Sequence, residues 1–417
     1  MSISWKIIPL YGLAKQKQVT DCSERELLSV YLGLGVIPFS SKAEKRTNVT
    51  GTDLSKYQAV DYGDFVLNNQ QAWRGSVGVS KYRGIVSPAY IVLKLSDDIT
   101  TSYANYLFQS RSMVDQYVVC SKGVGTIQRN IYWDYLKRIS VPLPPREEQD
   151  QIVRYLDWKV SQINKLINAK RRQIELLGEL KRVVVNEAVT RDGDGWSQFR
   201  IKAAATILRG KFTHRPRNDP AFYDGNYPFI QTGDVARAGK YIREYKQTLN
   251  ERGFSVSKQF PKGTLTMTIA ANIGDVSILD FDACFPDSII GLIPNKETDL
   301  EYLYYALFSM KADFVKEAPI NTQGNLNVER VGAMTFYIPK IYEQRNIVSK
   351  IENRTVKIDK LIDKLNDEIA LFAEYRTRLI SDVVTGKLDV RDVAVPEYEV
   401  VEDVATDEDV KDMEEIE

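Results

Sequence analysis

Between Arg209 and Arg217 the chain reads RGKFTHRPR, which puts Arg209, Lys211, Arg215 and Arg217 in nine residues, with Phe212 and His214 between them. Guanidinium and ammonium groups neutralise phosphates and read guanine edges. The counterpart in the first half is less dense: NNQQAWR at 68–74 and SKYR at 80–83. Amides such as Asn69 and Gln70 can pair bidentately with adenine, Arg74, Lys81 and Arg83 carry charge, and Tyr82 can stack. Lys122 and Arg129 flank one Gly/Asn-containing loop, and Asn321 flanks another; Asn272 lies in the run AANIGDV. Phe212 aside, these fifteen residues are the candidates for nucleic-acid contact. A solvated polar surface would have the same composition. Gln128 and Gln323, one in each loop, read better as residues that pin the loops.

Catalysis has weaker support. SPAY at 87–90 and DPAF at 219–222 resemble the short loop with which adenine methyltransferases hold a flipped base. Both lack its second proline, and no glycine-rich cofactor loop precedes either. Pro286-Asp287 is not followed by the acid and lysine of a nuclease motif. KGVGT at 122–126 lacks the Gly-Lys-Ser/Thr end of a phosphate-binding loop. One histidine and three scattered cysteines make neither a metal site nor a disulfide framework. No catalytic residue, metal or bound cofactor is expected.

The elements that position these loops are set by an internal repeat. At an offset of 195, residues 144–191 match 339–386 without a gap, with 14 of 48 positions identical, among them Pro144/Pro339, Glu148/Glu343 and Gln149/Gln344. Each copy begins after a proline, with acids in the first turn, which suits a helix N-terminus. Alternating steps of four and three residues select Leu156, Val160, Ile163, Ile167, Ile174 and Leu177 in the first copy. They select Ile351, Ile358, Ile362, Leu365, Ile369 and Phe372 in the second. That period marks a coiled-coil seam, and Gly193 and Gly386 stand where a helix C-terminal glycine belongs. Each helix needs a partner for its seam, and the simplest partner is the other copy, running antiparallel.

The segments before the helices repeat more weakly. GDFVLNNQQAWRGSVGVS at 63–80 resembles GTLTMTIAANIGDVSIL at 263–279, and YANYLFQS at 103–110 resembles YLYYALFSM at 302–310. The expected architecture is two mixed α/β domains, 1–143 and 193–338. Two long antiparallel coiled-coil helices, 144–192 and 339–390, separate them in a pseudo-two-fold repeat. The last segment, 391–417, is strongly acidic. From Pro396 onward it has eleven acids and one base, which leaves +10 on residues 1–395 of a chain with zero formal net charge. It is expected to be disordered. No run approaches the ~18 apolar residues of a membrane span, and MSISWKIIPLYG lacks the features of a signal peptide, so the expected compartment is the cytoplasm.

The twin helix starts, PLPPREEQDQIV and YIPKIYEQRNIV, together with VTGKLDVR at 384–391, RGIVSPAYIVLK at 83–94 and YPFIQTGDV at 227–235, resemble the specificity subunit of type I restriction–modification enzymes. The resemblance covers about residues 1–391. It implies that each α/β domain is a target-recognition domain reading one half of a split double-stranded DNA site. It also implies that the helices set the spacing and dock two methyltransferase subunits, through which restriction/translocase subunits join. S-adenosylmethionine, ATP and Mg would then belong to those partners. A non-catalytic coiled-coil adaptor binding only proteins is the alternative, and a stand-alone methyltransferase or nuclease the weaker one.

Overall fold

The computed structural model describes residues 5–41, 53–124, 128–190, 195–318 and 326–403. These fall into two compact units, one made of residues 1–172 and 365–417, the other of 173–364. The boundaries lie inside the long helices, so each unit contains one α/β portion and part of each helix.

In the first unit, a four-stranded antiparallel sheet has the order Ala14–Gln16, Tyr90–Leu95, Asp64–Asn68, Val77–Val79. The three central residues of the strand DFVLN at 64–68 are consecutively apolar and buried because both faces of the sheet are covered. Side chains alternate along a strand. Phe65 and Leu67 therefore enter the main core, where Phe65 stacks on Phe108 with ring centroids 4.1 Å apart. Val66 faces the other way, into a smaller cluster with Leu28, Val30, Val86 and Val92. The helix Thr101–Gln109 covers the main face; its start is capped by the Thr100 hydroxyl, which accepts from the Tyr103 N–H.

The second unit repeats this plan. Its sheet runs Ala205–Arg209, Ile289–Pro294, Leu265–Thr268, Val276–Leu279, with Tyr241–Ile242 added at one edge. The helix Leu300–Ser309 corresponds to Thr101–Gln109 and is capped by the Asp299 carboxylate. A second four-stranded sheet, with Tyr223–Phe229 inside it, has no counterpart in the first unit among the described residues.

The long helices span Arg146–Val189 and Ile341–Val384, 44 residues each, or about 66 Å at ~1.5 Å per residue. Within the first unit Lys170 pairs with Glu368, and Arg376 donates to Asn164 Oδ1. Within the second, Lys181 pairs with Asp359 at 2.6 Å. In the first unit one residue number rises as its partner's falls, so the helices are antiparallel; in the second, Val185 and Val189, beyond Lys181, share a core with Ile347, Val348 and Ile351, before Asp359, which is the same direction. All twelve seam residues are buried or half-buried. Leu156, Ile163 and Ile167 join the core of the first unit with Leu379 and Val383, and Ile351 joins that of the second. No helix among the described residues is long and apolar enough to cross a membrane.

Two features mark the helix ends. The chain preceding each helix is a strand paired with an N-terminal one: Ser140–Leu143 with Lys6–Pro9, and Thr335–Ile338 with Ser197–Arg200. Gly386 closes the second helix in the left-handed region at φ 72°, and a side chain there would also press on the Trp5 ring. Gly193 lies outside the described residues.

The acidic segment departs from expectation. Residues 391–403 open with a turn and continue without regular secondary structure, laid against the rest of the first unit, with Val390 buried in its core and Val393 and Val395 packed on it. Side chains of the first long helix hold the backbone of this segment, and disorder inferred from composition does not apply up to residue 403. Residues 404–417 are outside the described part.

Candidate nucleic-acid interface

The repeated Glu-Gln phrase forms a lock between each helix start and its sheet. Gln149 is buried; its Oε1 accepts from the Thr100 N–H at 2.8 Å, and its Nε2 donates to the carbonyls of Asp98 and Pro144. Gln344 accepts from the Asp299 N–H at 2.7 Å and donates to Glu297 and Pro339. An amide, with a donor and an acceptor on one group, suits a site offering both backbone N–H and C=O. The preceding glutamates accept from indoles: Trp5 Nε1 donates to Glu148 at 2.8 Å, and Trp196 Nε1 to Glu343 at 3.3 Å. Tyr103 donates to the Pro142 carbonyl and Tyr302 to the Tyr337 carbonyl. The phrase therefore fastens the start of each long helix to the N-cap of the shorter helix packed on the sheet.

In the first unit, the hairpin joining Asp64–Asn68 to Val77–Val79 brings several candidates together around Trp73. The Arg74 guanidinium lies 4.7 Å and that of Arg129 5.7 Å from the Trp73 ring, within cation–π range. Trp73 Nε1 donates to the Gln70 carbonyl, and Gln70 is exposed. Asn69 Oδ1 accepts from the Ile131 N–H at 2.8 Å, which ties the hairpin to the strand Gln128–Ile131. That bond fixes the loop and takes one of the two lone pairs of the oxygen that an adenine contact would use. Lys122, on the strand paired with Gln128–Ile131, donates to the Tyr135 hydroxyl and lies 4.2 Å from its ring. Lys81, Tyr82 and Arg83 form a separate exposed turn. Arg83 reaches Asp61 at 3.3 Å. The hydrogen bond from Lys17 holds the Asp61 carboxyl below the usual carboxylate range, with Arg25 and Arg83 adding to the effect against the opposing influence of burial.

In the second unit the basic loop folds onto one carboxylate. Arg217 pairs closely with Asp287, Arg215 approaches it at 3.6 Å, and Arg209 donates to its backbone carbonyl at 2.7 Å. Arg215 also donates to the carbonyls of Phe212 and His214. Phe212 is buried among Phe222, Tyr223 and Phe229, anchoring the loop from beneath. His214 stacks on Phe222 and bonds to Asp219 at 3.0 Å. Lys211 has its backbone fixed by Phe285 and Ser257, while its side chain is exposed. Arg215 and Arg217 remain about half exposed, so their outward N–H groups can meet an anion. Asn272 has a left-handed φ of 45° at the tip of the hairpin between Leu265–Thr268 and Val276–Leu279, the position that Trp73 and Arg74 occupy in the first unit. Asn321, Gln323, Asn325 and the Gln128 side chain lie outside the described residues.

Two residues central to this geometry were missed as candidates. Trp73 could have been found from its place between polar residues and Arg74. Asp287 is 70 positions from Arg217 and gives no local sign.

The type I restriction modification DNA specificity domain matches this chain twice, over residues 15–176 and 193–371. The chain belongs to the type I specificity family. Among curated members, the type I restriction enzyme MjaVIII specificity subunit of Methanocaldococcus jannaschii is 21% identical over 406 residues, covering 86% of this chain and 88% of its own. The putative MjaX specificity subunit of the same organism is 22% identical over 367 residues, 81% of each chain. A chain from a structure on complex assembly and conformational transition of the type I R-M system superposes with a TM-score of 0.60 at 15% identity, over 92% of this chain and 98% of that one. That likeness establishes the fold. This type I specificity protein therefore carries its DNA specificity domain in duplicate, and the two copies share the sheet order and the glutamine lock while differing in the loops those features support.

Proposed function

We propose that this chain is the non-catalytic recognition subunit of a type I restriction–modification complex, with each α/β unit reading one half of an asymmetric, bipartite double-stranded DNA site. The observation that carries the reading is the duplication of one scaffold with unlike loops. The hairpin holding Trp73 and Arg74 in the first unit is matched by one ending at Asn272 in the second. Equal scaffolds with unequal readers fit two different half-sites, as dimeric readers with identical halves fit palindromes.

The helices then set the unread gap between half-sites and hold two methyltransferase subunits, with restriction/translocase subunits joining through them. Support comes from the repeat. Leu166/Leu361 and Leu176/Leu371 are identical in the two copies, yet all four are 45–64% exposed. Seam packing does not account for them, and a repeated apolar face suits two copies of one partner. S-adenosylmethionine, ATP and Mg belong to those partners in this reading.

The test is co-expression with a cognate methyltransferase subunit in a host without modification, followed by mapping of methylated bases. A split motif with a fixed gap is expected, and replacing residues 1–143 by another domain changes one half of it. An unsplit motif, or one in which both halves change, overturns the reading.

A further inference from the structure

The acidic chain after the second helix lies in a groove whose contacts all belong to the first unit. Ser161 Oγ donates to the Glu399 carbonyl and accepts from the Val401 N–H, both at 2.7 Å. Asn164 Nδ2 donates to the Val401 carbonyl at 2.9 Å, and Asn168 Nδ2 to that of Glu402 at 3.0 Å. Gln151 donates to the carbonyls of Val390 and Val393. Residues 161, 164, 168 and 171 follow the spacing of one helix face. Ser161, Asn164 and Asn168 grip main chain rather than side chains, so along them the groove takes a peptide of loosely specified sequence.

The end of this peptide is specific. The Asp403 carboxylate receives Arg171 of the first helix at 2.6 Å and Arg376 of the second at 2.7 Å. Arg376 also donates to Asn164 Oδ1 at 2.6 Å. One carboxylate thus joins both helices, and Ser161 and Asn164, polar groups beside an apolar seam, are only 3% and 5% exposed with the strap in place. The repeat is broken here. At the equivalent places the second helix has Val356, Asp359, Asp363 and Asn366, which cannot form the same ladder, and Val356 is exposed. Among the described residues the Ser161–Asn164–Asn168 ladder has no equivalent on the second helix, and the chain supplies its occupant.

We propose that Ser161, Asn164, Asn168, Arg171 and Arg376 form a peptide-binding groove, and that residues 396–403 occupy it as a strap that ties the two helices together through Asp403. The strap goes beyond the DNA reading and does not depend on it. Removing it exposes the polar ladder to water and releases two arginines from their shared counter-ion, so the helix pair opens more readily near residues 161–171 and 372–380.

The experiment is backbone hydrogen exchange by mass spectrometry on the full chain, on Asp403→Asn, on Arg376→Gln and on a chain ending at Val395, which keeps Val390, Val393 and Val395. Peptides from 156–172 and 368–384 report the strapped region, and 341–364 serves as the internal reference. Expected is exchange at least about tenfold faster on both helices in all three variants, with the reference unchanged; opening free energies of this kind govern exchange. The wild-type chain at ~1 M salt, where screening reaches ~3 Å, moves the same way without any substitution. Unchanged exchange, or acceleration on the first helix alone, overturns the strap as a tie between helices.

Discussion

Gln149 and Gln344, 195 residues apart, make the same three hydrogen bonds: each accepts from the N-cap N–H of a helix and donates to two carbonyls beside it. Both are fully buried. Replacing either with leucine removes three hydrogen bonds, one of them to a buried carbonyl, that of Pro144 or Pro339. At the usual scale of a buried hydrogen bond the loss is roughly 3 kcal/mol. Q149L is expected to lower the unfolding midpoint of the first unit and Q344L that of the second, read by urea titration with domain-resolved proteolysis.

Ile163 and Leu166 lie three residues apart on one helix but differ in burial, 5% against 47% exposed. Ile163→Asp forces a charge into the seam and is expected to destabilise the first unit by at least about 3 kcal/mol. Leu166→Asp is expected to leave stability within about 0.5 kcal/mol while weakening assembly with methyltransferase subunits. Denaturation and co-purification separate the two effects.

Arg215 and Arg217 share Asp287. Neutralising both arginines is expected to weaken DNA binding by the assembled complex and to flatten its salt dependence, by ~0.9 in the log–log slope for each phosphate that is no longer neutralised. Asp287→Asn removes their counter-charge and is expected to act oppositely, strengthening salt-sensitive, sequence-independent binding. Titrations at several ionic strengths read both.

Trp73→Ala removes the ring on which Arg74 and Arg129 rest. The expected result is relaxed or abolished recognition in one half of the methylated motif, with the other half and the gap unchanged. Motif mapping checks this directly.

The Asp403 carboxyl experiences burial, which alone would raise its pKa, but hydrogen bonds from Arg376 and Arg171 prevail and hold it below the ordinary value of 3.8. A carboxylate with a depressed folded pKa stabilises above its unfolded pKa and loses that contribution as pH falls through the folded one. The strap is therefore expected to hold unchanged from pH 8 to 5 and to loosen only below about 4. Fluorescence from a label near residue 400, followed against pH, reports the release.

The seam and the repeat were legible because period and offset are properties of sequence alone: Leu156, Ile163 and Ile351 stand at positions that cannot face water. The glutamine phrase was visible as a repeat but not as a lock, since its partners Thr100 and Asp299 lie tens of residues away. The loop at 209–217 read as a cluster of cations, and only folding brings Asp287 beside it. The strap was illegible for a related reason. PEYEVVED has the composition of a solvated tail, and what holds it before Asp403 is a row of helix side chains that bond to its main chain, an arrangement that leaves no trace in the identity of those residues.

The first unit is discontinuous: its core includes Leu379, Val383, Val384 and Val390 beside residues from the chain's beginning, and Tyr103 donates to the carbonyl of Val384, 281 positions on. The second unit is a single stretch, 173–364. A ribosome working from the N-terminus therefore completes the second unit while the first still lacks its last wall. Of the two units, the one begun first is finished last, and a stop codon shortly after residue 364 is expected to damage the unit encoded upstream.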